Sequence, residues 1–252
     1  MIATLIALYV ICLVVGLLVG STGMGGILIP PALVLLSGLE THVAMGTTLA
    51  SFIPMNLVGC YLFWRMGHLD FKQALPLCLG GALSAGLFAL LNNQIGANAL
   101  TILLAILVLM AGYSAYKPAA PSANAKAKLW IKPWGLFTIG FVTGIAAGLT
   151  GAGGPLLAIA WMITCSMHPL AAIGLSMPYS IASALSATVS NFINHNLDFL
   201  CLVVVSSIEL IGFLIGVILI RKMPVLFIKR LMAITCIVLG LFLLLKTIIW
   251  QI

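Results

Sequence analysis

Charge is what this chain has least of. Only 6% of its 252 residues are charged, and four are acidic: Glu40, Asp70, Asp198 and Glu209. A soluble domain carries about 25% charged residues, so this chain could not cover its own surface in water. A water-soluble enzyme or binding module is therefore excluded. Polar stretches long enough to fold as a separate domain are missing too. There is no P-loop, which argues against ATP hydrolysis within the chain. The six cysteines (Cys12, Cys60, Cys78, Cys165, Cys201 and Cys236) stand singly in apolar segments, with no CxxC and no Cys/His spacing suited to zinc. They read as small hydrophobes, and no metal or other cofactor is expected.

What is present is hydrocarbon-loving sequence, with 63% hydrophobic residues. Apolar runs of the length needed to cross a bilayer, about 20 residues, recur from end to end. The first, 2–19, has no basic stretch before it and no small-residue cleavage site after it, so it reads as a retained membrane helix rather than a signal peptide. The formal charge of +7 would suggest nucleic acid in a soluble protein. Here the basic residues sit in short loops between apolar segments, and the charge reads as membrane topology. No nucleic-acid partner is expected; the lipid bilayer is.

The chain repeats itself. Gly16 aligns with Gly144, an offset of 128 (144 − 16), which holds without a gap for about 100 residues. Gly20, Thr22, Gly23, Gly25, Gly26 and Leu28 recur as Gly148, Thr150, Gly151, Gly153, Gly154 and Leu156, and Leu69-Asp70-Phe71 recurs as Leu197-Asp198-Phe199. The expected organisation is a first membrane repeat over 1–116, a linker loop over 117–132 and a second repeat over 133–252. Each half divides into five apolar pieces: 2–19, 27–37, 43–64, 72–92 and 98–116, then 134–149, 155–166, 171–194, 199–220 and 227–249. The second piece of each half is short. A helix of about 12 residues rises only about 17 Å, well under a hydrocarbon core of about 30 Å. Both short pieces follow a glycine cluster and are expected to be half-helices or re-entrant segments, giving 8 to 10 membrane segments in all.

Loop charges relate the halves. Lys117, Lys126, Lys128 and Lys132 put the linker on the cytoplasmic side. The loop between the third and fourth pieces is basic in the first half (Arg65, Lys72). Its equivalent, Asn194 to Asp198, has no Lys or Arg, whereas Arg221, Lys222, Lys229 and Arg230 crowd the next loop. Equivalent loops thus prefer opposite sides, which predicts an all-α polytopic membrane protein built from two inverted-topology repeats.

The duplicated G-x-x-x-G-x-x-G-x-G-G pattern at Gly16–Gly26 and Gly144–Gly154, the prolines Pro30 and Pro31, and the stretch Ala44-Met45-Gly46-Thr47-Thr48-Leu49-Ala50-Ser51 resemble the TauE/SafE family of bacterial membrane proteins. Size, twofold repeat and hydropathy agree over nearly the whole chain. The resemblance implies a multi-pass protein of the bacterial inner membrane, with about eight spanning helices, that exports sulfite or organosulfonates. The second half departs from the pattern at Pro155, directly after its glycines, and has Ala158-Ile159 where the first has Pro30-Pro31. The two half-sites are therefore not chemically equivalent.

Glycine breaks helices, and a broken helix within lipid leaves amide and carbonyl groups that must be buried in protein or line a cavity. Two such ends, at Gly25–Ile27 and Gly153–Leu156, would cradle an anion with their free N–H groups and positive dipole ends. The candidate substrate residues are Ser21, Thr22, Gly23, Gly25, Gly26, Thr47, Thr48, Ser51, Thr150, Gly151, Gly153, Gly154, Ser176 and Tyr179, with Ser180 beside them. The bland alternative is close helix packing, which suits Gly16 and Gly20, and Gly140, Gly144 and Gly148, better than the dense clusters that follow them. Glu209 lies about ten residues into an apolar segment, a costly place for a carboxylate. It is the candidate for carrying a coupling proton; a neutral, hydrogen-bonded acid is the alternative. Asp70 and Asp198 read as helix caps.

The expected function is secondary transport of a small anion, export of sulfite or another oxidised sulfur compound, by alternating access at the repeat interface. A passive anion channel is the first alternative. A membrane-embedded enzyme is the second, and it is disfavoured because Ser21, the one tempting nucleophile, has Leu149 as its repeat partner and no deep histidine near it.

Overall fold

The computed structural model describes residues 2–23, 25–91, 94–96, 132–151, 154–165 and 167–219, with single helical positions within 99–113 and 234–245. The linker over 117–131 and most of the fifth piece of each half lie outside the described residues. Every regular element described is helical. In chain order they are α1 (Ile2–Thr22), α2 (Gly26–Ser37), α3 (Thr41–Arg65), α4 (Phe71–Leu91), α5 (Pro133–Thr150), α6 (Gly154–Thr164), α7 (Pro169–Ile193) and α8 (Phe199–Leu219). Six of them, α1, α3, α4, α5, α7 and α8, are long and apolar enough to cross a membrane. The short pieces α2 and α6 are not.

The helices are inside out relative to a soluble bundle. On α4, Leu75, Leu79, Leu83 and Leu87 recur every four residues and all face outward, which is one stripe of a 3.6-residue helix. Such a stripe is stable only against lipid or protein. Trp64 and Trp134, near helix ends, are exposed as interfacial belt residues would be. The polar side chains lie within: Thr47, Thr48, Ser51 and Asn56 of α3, Ser176, Ser180 and Ser183 of α7, and Glu209 of α8 are all buried.

Packing follows the repeat. α1 lies along α8 and α4 along α5, and these two pairs exchange when the halves are swapped. The glycines Gly16 and Gly20 face the main chain of Glu209 and Phe213, so no side chain fits between the helices there. Gly140, Gly144 and Gly148 meet Leu77, Gly81 and Ala85 in the same manner. The packing role anticipated for these five glycines is what the structure contains.

The same contacts give helix directions. Residues 16 and 20 of α1 meet 209 and 213 of α8, so these two helices run the same way, and so do α4 and α5. The central pair differs. Near the start of α3, Gly46 meets Asn191 and Asn196 at the end of α7, whereas Gly174 near the start of α7 meets His68 just past the end of α3. Thus α3 and α7 are antiparallel. Asp70 caps α4, accepting from the Lys72 amide at 2.9 Å, and Asp198 caps α8, accepting from the Cys201 amide at 2.9 Å. Both caps fit their sequence reading.

Candidate substrate site

The first break begins where Gly23 takes φ 70, its amide still donating to the Val19 carbonyl at 2.7 Å. Gly25 then takes φ 138, which a side chain would resist. The chain turns back along α1: Leu28, Pro31, Ala32, Leu35 and Leu36 of α2 flank Val15, Val14, Ile11 and Val10. Beyond the turn, the first backbone donor is the Leu28 amide, bonded to the Gly25 carbonyl at 3.1 Å. Among the described residues, the amides of Gly25, Gly26 and Ile27 have no backbone acceptor. These are the orphan donors every helix start carries.

At the second break, Gly151 ends α5 with φ 80, its amide bonded to the Ala147 carbonyl at 2.9 Å. Gly153 lies outside the described residues, and Gly154 opens α6. Pro155, in the first turn of α6, contributes no N–H.

The two breaks meet. A cavity of about 20 Å³ is lined from the first break by Gly23, Gly25 and Gly26, from the second by Pro155 and Leu156, and from the central helices by Phe52, Asn56 and Ser180. Asn56 was not singled out from the sequence, although a lone amide in the middle of an apolar segment is a usable signal. Its Nδ2 donates to the Phe52 carbonyl at 2.8 Å, and the side chain is almost fully buried.

The remaining candidates are placed as follows. The hydroxyls of Ser21, Thr22, Thr48, Ser51, Thr150, Ser176 and Ser180 all donate to carbonyls three or four residues earlier in their own helices, at 2.6–2.9 Å. This back-bonding satisfies each donor within the helix. Thr47 lies at the other end of α3, where its Oγ1 accepts from the Asp198 amide at 3.0 Å. The Tyr179 hydroxyl is 2.9 Å from Thr143 Oγ1, a partner that sequence reasoning did not foresee.

Glu209 is fully buried, and neither of its carboxyl oxygens has a hydrogen-bond partner among the described residues. Ser51 stands beside it on α3; its hydroxyl proton goes to the Thr48 carbonyl at 2.9 Å, so toward the carboxyl it can only accept. Glu209 does not line the cavity, but residues that pack on it adjoin residues that do. Gly16, which faces Glu209, precedes the cavity residue Val19 by one helical turn, and Ser51 precedes the cavity residue Phe52.

A profile of the family described as "Sulfite exporter TauE/SafE" matches residues 5–243. The chain belongs to the TauE/SafE family. Among curated relatives, "Probable membrane transporter protein YunE" of Bacillus subtilis is 25% identical over 92% of this chain and 96% of its own length. "Probable membrane transporter protein YdhB" of the same organism is 28% identical over 91% and 96%. A "Probable membrane transporter protein" of Xylella fastidiosa strain Temecula1 is 28% identical over 73% and 72%. No solved structure matches. With six apolar spans among the described residues, this TauE/SafE member is a multi-pass bacterial membrane transporter.

Proposed function

We propose that this TauE/SafE protein is a secondary transporter that exports small oxyanions, sulfite or an organosulfonate, by alternating access. The observation that carries the reading is the cavity in which both glycine breaks meet. Its first-break wall includes Gly25 and Gly26, whose amides have no backbone acceptor, at the start of an apolar helix. Amides and helix dipole together attract an anion with several acceptor oxygens without any cationic side chain. At about 20 Å³ the cavity accommodates roughly one water. It is therefore contracted, and a sulfonate enters only when α2 and α6 draw apart.

The antiparallel course of α3 and α7 supports the inverted relation between repeats 1–116 and 133–252, because equivalent central helices in parallel repeats would run the same way. In this reading the basic linker 117–132 is cytoplasmic, and the halves rock about the α3–α7 contact. The test is flux into proteoliposomes against a panel of sulfite, thiosulfate, methanesulfonate and acetate. Saturable uptake of the sulfur oxyanions with counterflow is expected. Uptake without counterflow would mean a pore, and failure to move any sulfur oxyanion would remove the substrate assignment.

A further inference from the structure

The two halves can be compared position by position around Glu209. The offset of 128 carries Glu209 onto Gly81, Ser51 onto Tyr179 and Val15 onto Thr143. In the second of these mirror pockets, the Tyr179 ring packs over Gly81, and its hydroxyl is satisfied by Thr143 at 2.9 Å. The fold can thus fill this volume with a large side chain whose single polar group is paired. In the first pocket the large side chain comes from the opposite wall. It is a carboxylic acid facing a small Ser51 whose proton goes to the Thr48 carbonyl, so that the serine can accept from a neutral acid but offers nothing to an ionised one. Packing alone does not require an acid there, because the mirror pocket is filled by a neutral side chain.

The surroundings offer the acid nothing to balance a charge. From α1 it is faced by Cys12, a neutral thiol, and from α3 by Ser51, which does not titrate. Among the described residues no lysine, arginine or histidine stands beside it. A carboxyl in that setting is stable only as the neutral acid, since an ionised one would lose its hydration with no replacement. It therefore holds a proton whenever these helices are closed around it, and it can give that proton up only when water or another proton acceptor reaches it.

We infer that Glu209 is a proton-binding site retained in one half of the molecule, loading and releasing one proton in each transport cycle. The O–H bond forms with a proton taken from water on one side of the membrane and breaks to water on the other. No further reactant is needed. Its position next to the cavity, through Gly16 and Val19 on α1 and Ser51 and Phe52 on α3, means that helix movements opening the anion site also wet the acid. This inference rests on the transport reading for its linkage to flux, but the proton site itself can be tested without a substrate.

The first experiment is infrared spectroscopy of the purified protein in lipid, following the carbonyl stretch of protonated carboxylic acids. With only four acidic residues, assignment is direct. A band present at neutral pH in the native chain, absent in Glu209→Gln and displaced in Glu209→Asp, is expected. Its absence from the native chain overturns the inference, whatever the liposome assays give. The second experiment is methanesulfonate flux with a pH dye inside the vesicles, a probe whose own charge is constant near neutrality. Native protein should move protons with the anion. Glu209→Gln should lose the response of flux to an imposed pH gradient by at least tenfold, and Glu209→Asp should retain it. An undiminished gradient response in a folded Glu209→Gln protein overturns the inference. Absence of methanesulfonate flux in the native chain would instead tell against the substrate assignment and leave the infrared result to decide.

Discussion

The two glycine breaks share a sequence pattern but not a backbone path. After the first, the chain passes through φ 70 at Gly23 and φ 138 at Gly25. It then winds as a tight 3-10 turn over Gly26–Leu28, a short α segment over Ile29–Ala32 and a wide π segment over Leu33–Ser37. After the second, Gly151 takes φ 80 and α6 runs as plain α-helix from Gly154 to Thr164. Consecutive prolines, Pro30 and Pro31, sit within the irregular helix; a single proline, Pro155, opens the regular one. Proline supplies no amide and suits a first helical turn. It fits smoothly at the second break, while the pair at the first accompanies three helix types within twelve residues (26–37). The lesson is a division of labour. The first break lines the cavity with glycines, and the second lines it with the apolar Pro155 and Leu156.

Substitutions can break that contrast. The largest effect on transport is expected from Gly25→Val, which fills a cavity-lining position, sets a side chain 2.9 Å from Leu18 Cβ and forces φ 138 on a branched residue. Flux should fall at least a hundredfold. Flux within twofold of native would remove the amide cradle. Gly151→Ala should act differently, because its Cβ would lie 2.7 Å from the Met45 Cα and carbonyl oxygen, which cannot move aside. Here the loss is of stability, about 2–3 kcal/mol, read as a lower unfolding temperature in detergent. Gly25→Val is strained as well, so the contrast is read as flux per folded protein: Gly151→Ala should keep the flux that Gly25→Val loses, and equal loss would dissolve the distinction. Asn56→Leu sharpens the comparison on the first-break side of the cavity. It should weaken apparent affinity for the oxyanion by about tenfold, corresponding to about 1.4 kcal/mol, with little change in unfolding temperature. The smallest expected effect is that of Asp70→Ala and Asp198→Ala, each about 1 kcal/mol of helix-cap stability, with Asp198→Ala also disturbing the loop held by Thr47.

Much of this architecture could be read from the residues. The segment written as 43–64 is the helix Thr41–Arg65, and that written as 199–220 is Phe199–Leu219, because long apolar runs ended by charge or capping aspartate leave little freedom in where a helix stops. The packing glycines were legible for a similar reason: four-residue spacing puts small residues on one helix face. Rotation about each helix axis was harder to foresee. In a membrane both faces are apolar, so nothing in the pattern said that Ser51 would meet Glu209 or that Tyr179 would turn toward Thr143. The hydroxyls were credited as ligand donors from their residue type alone. Their back-bonding to the preceding turn depends on side-chain rotamer, to which sequence spacing is blind. Asn56 has Ala184 as its repeat partner, so the internal repeat gives that position no emphasis.

The opposed course of α3 and α7 decides where their buried hydroxyls lie. The hydroxyl-rich stretch begins at Thr47 in one helix and at Ser176 in the other. Because the helices start at opposite ends, the two stretches sit toward opposite ends of the seam, each turned back on its own carbonyls. The seam is thus held by dry, self-satisfied helices, and its midpoint differs from half to half: Ser51 stands where the mirror position is Tyr179.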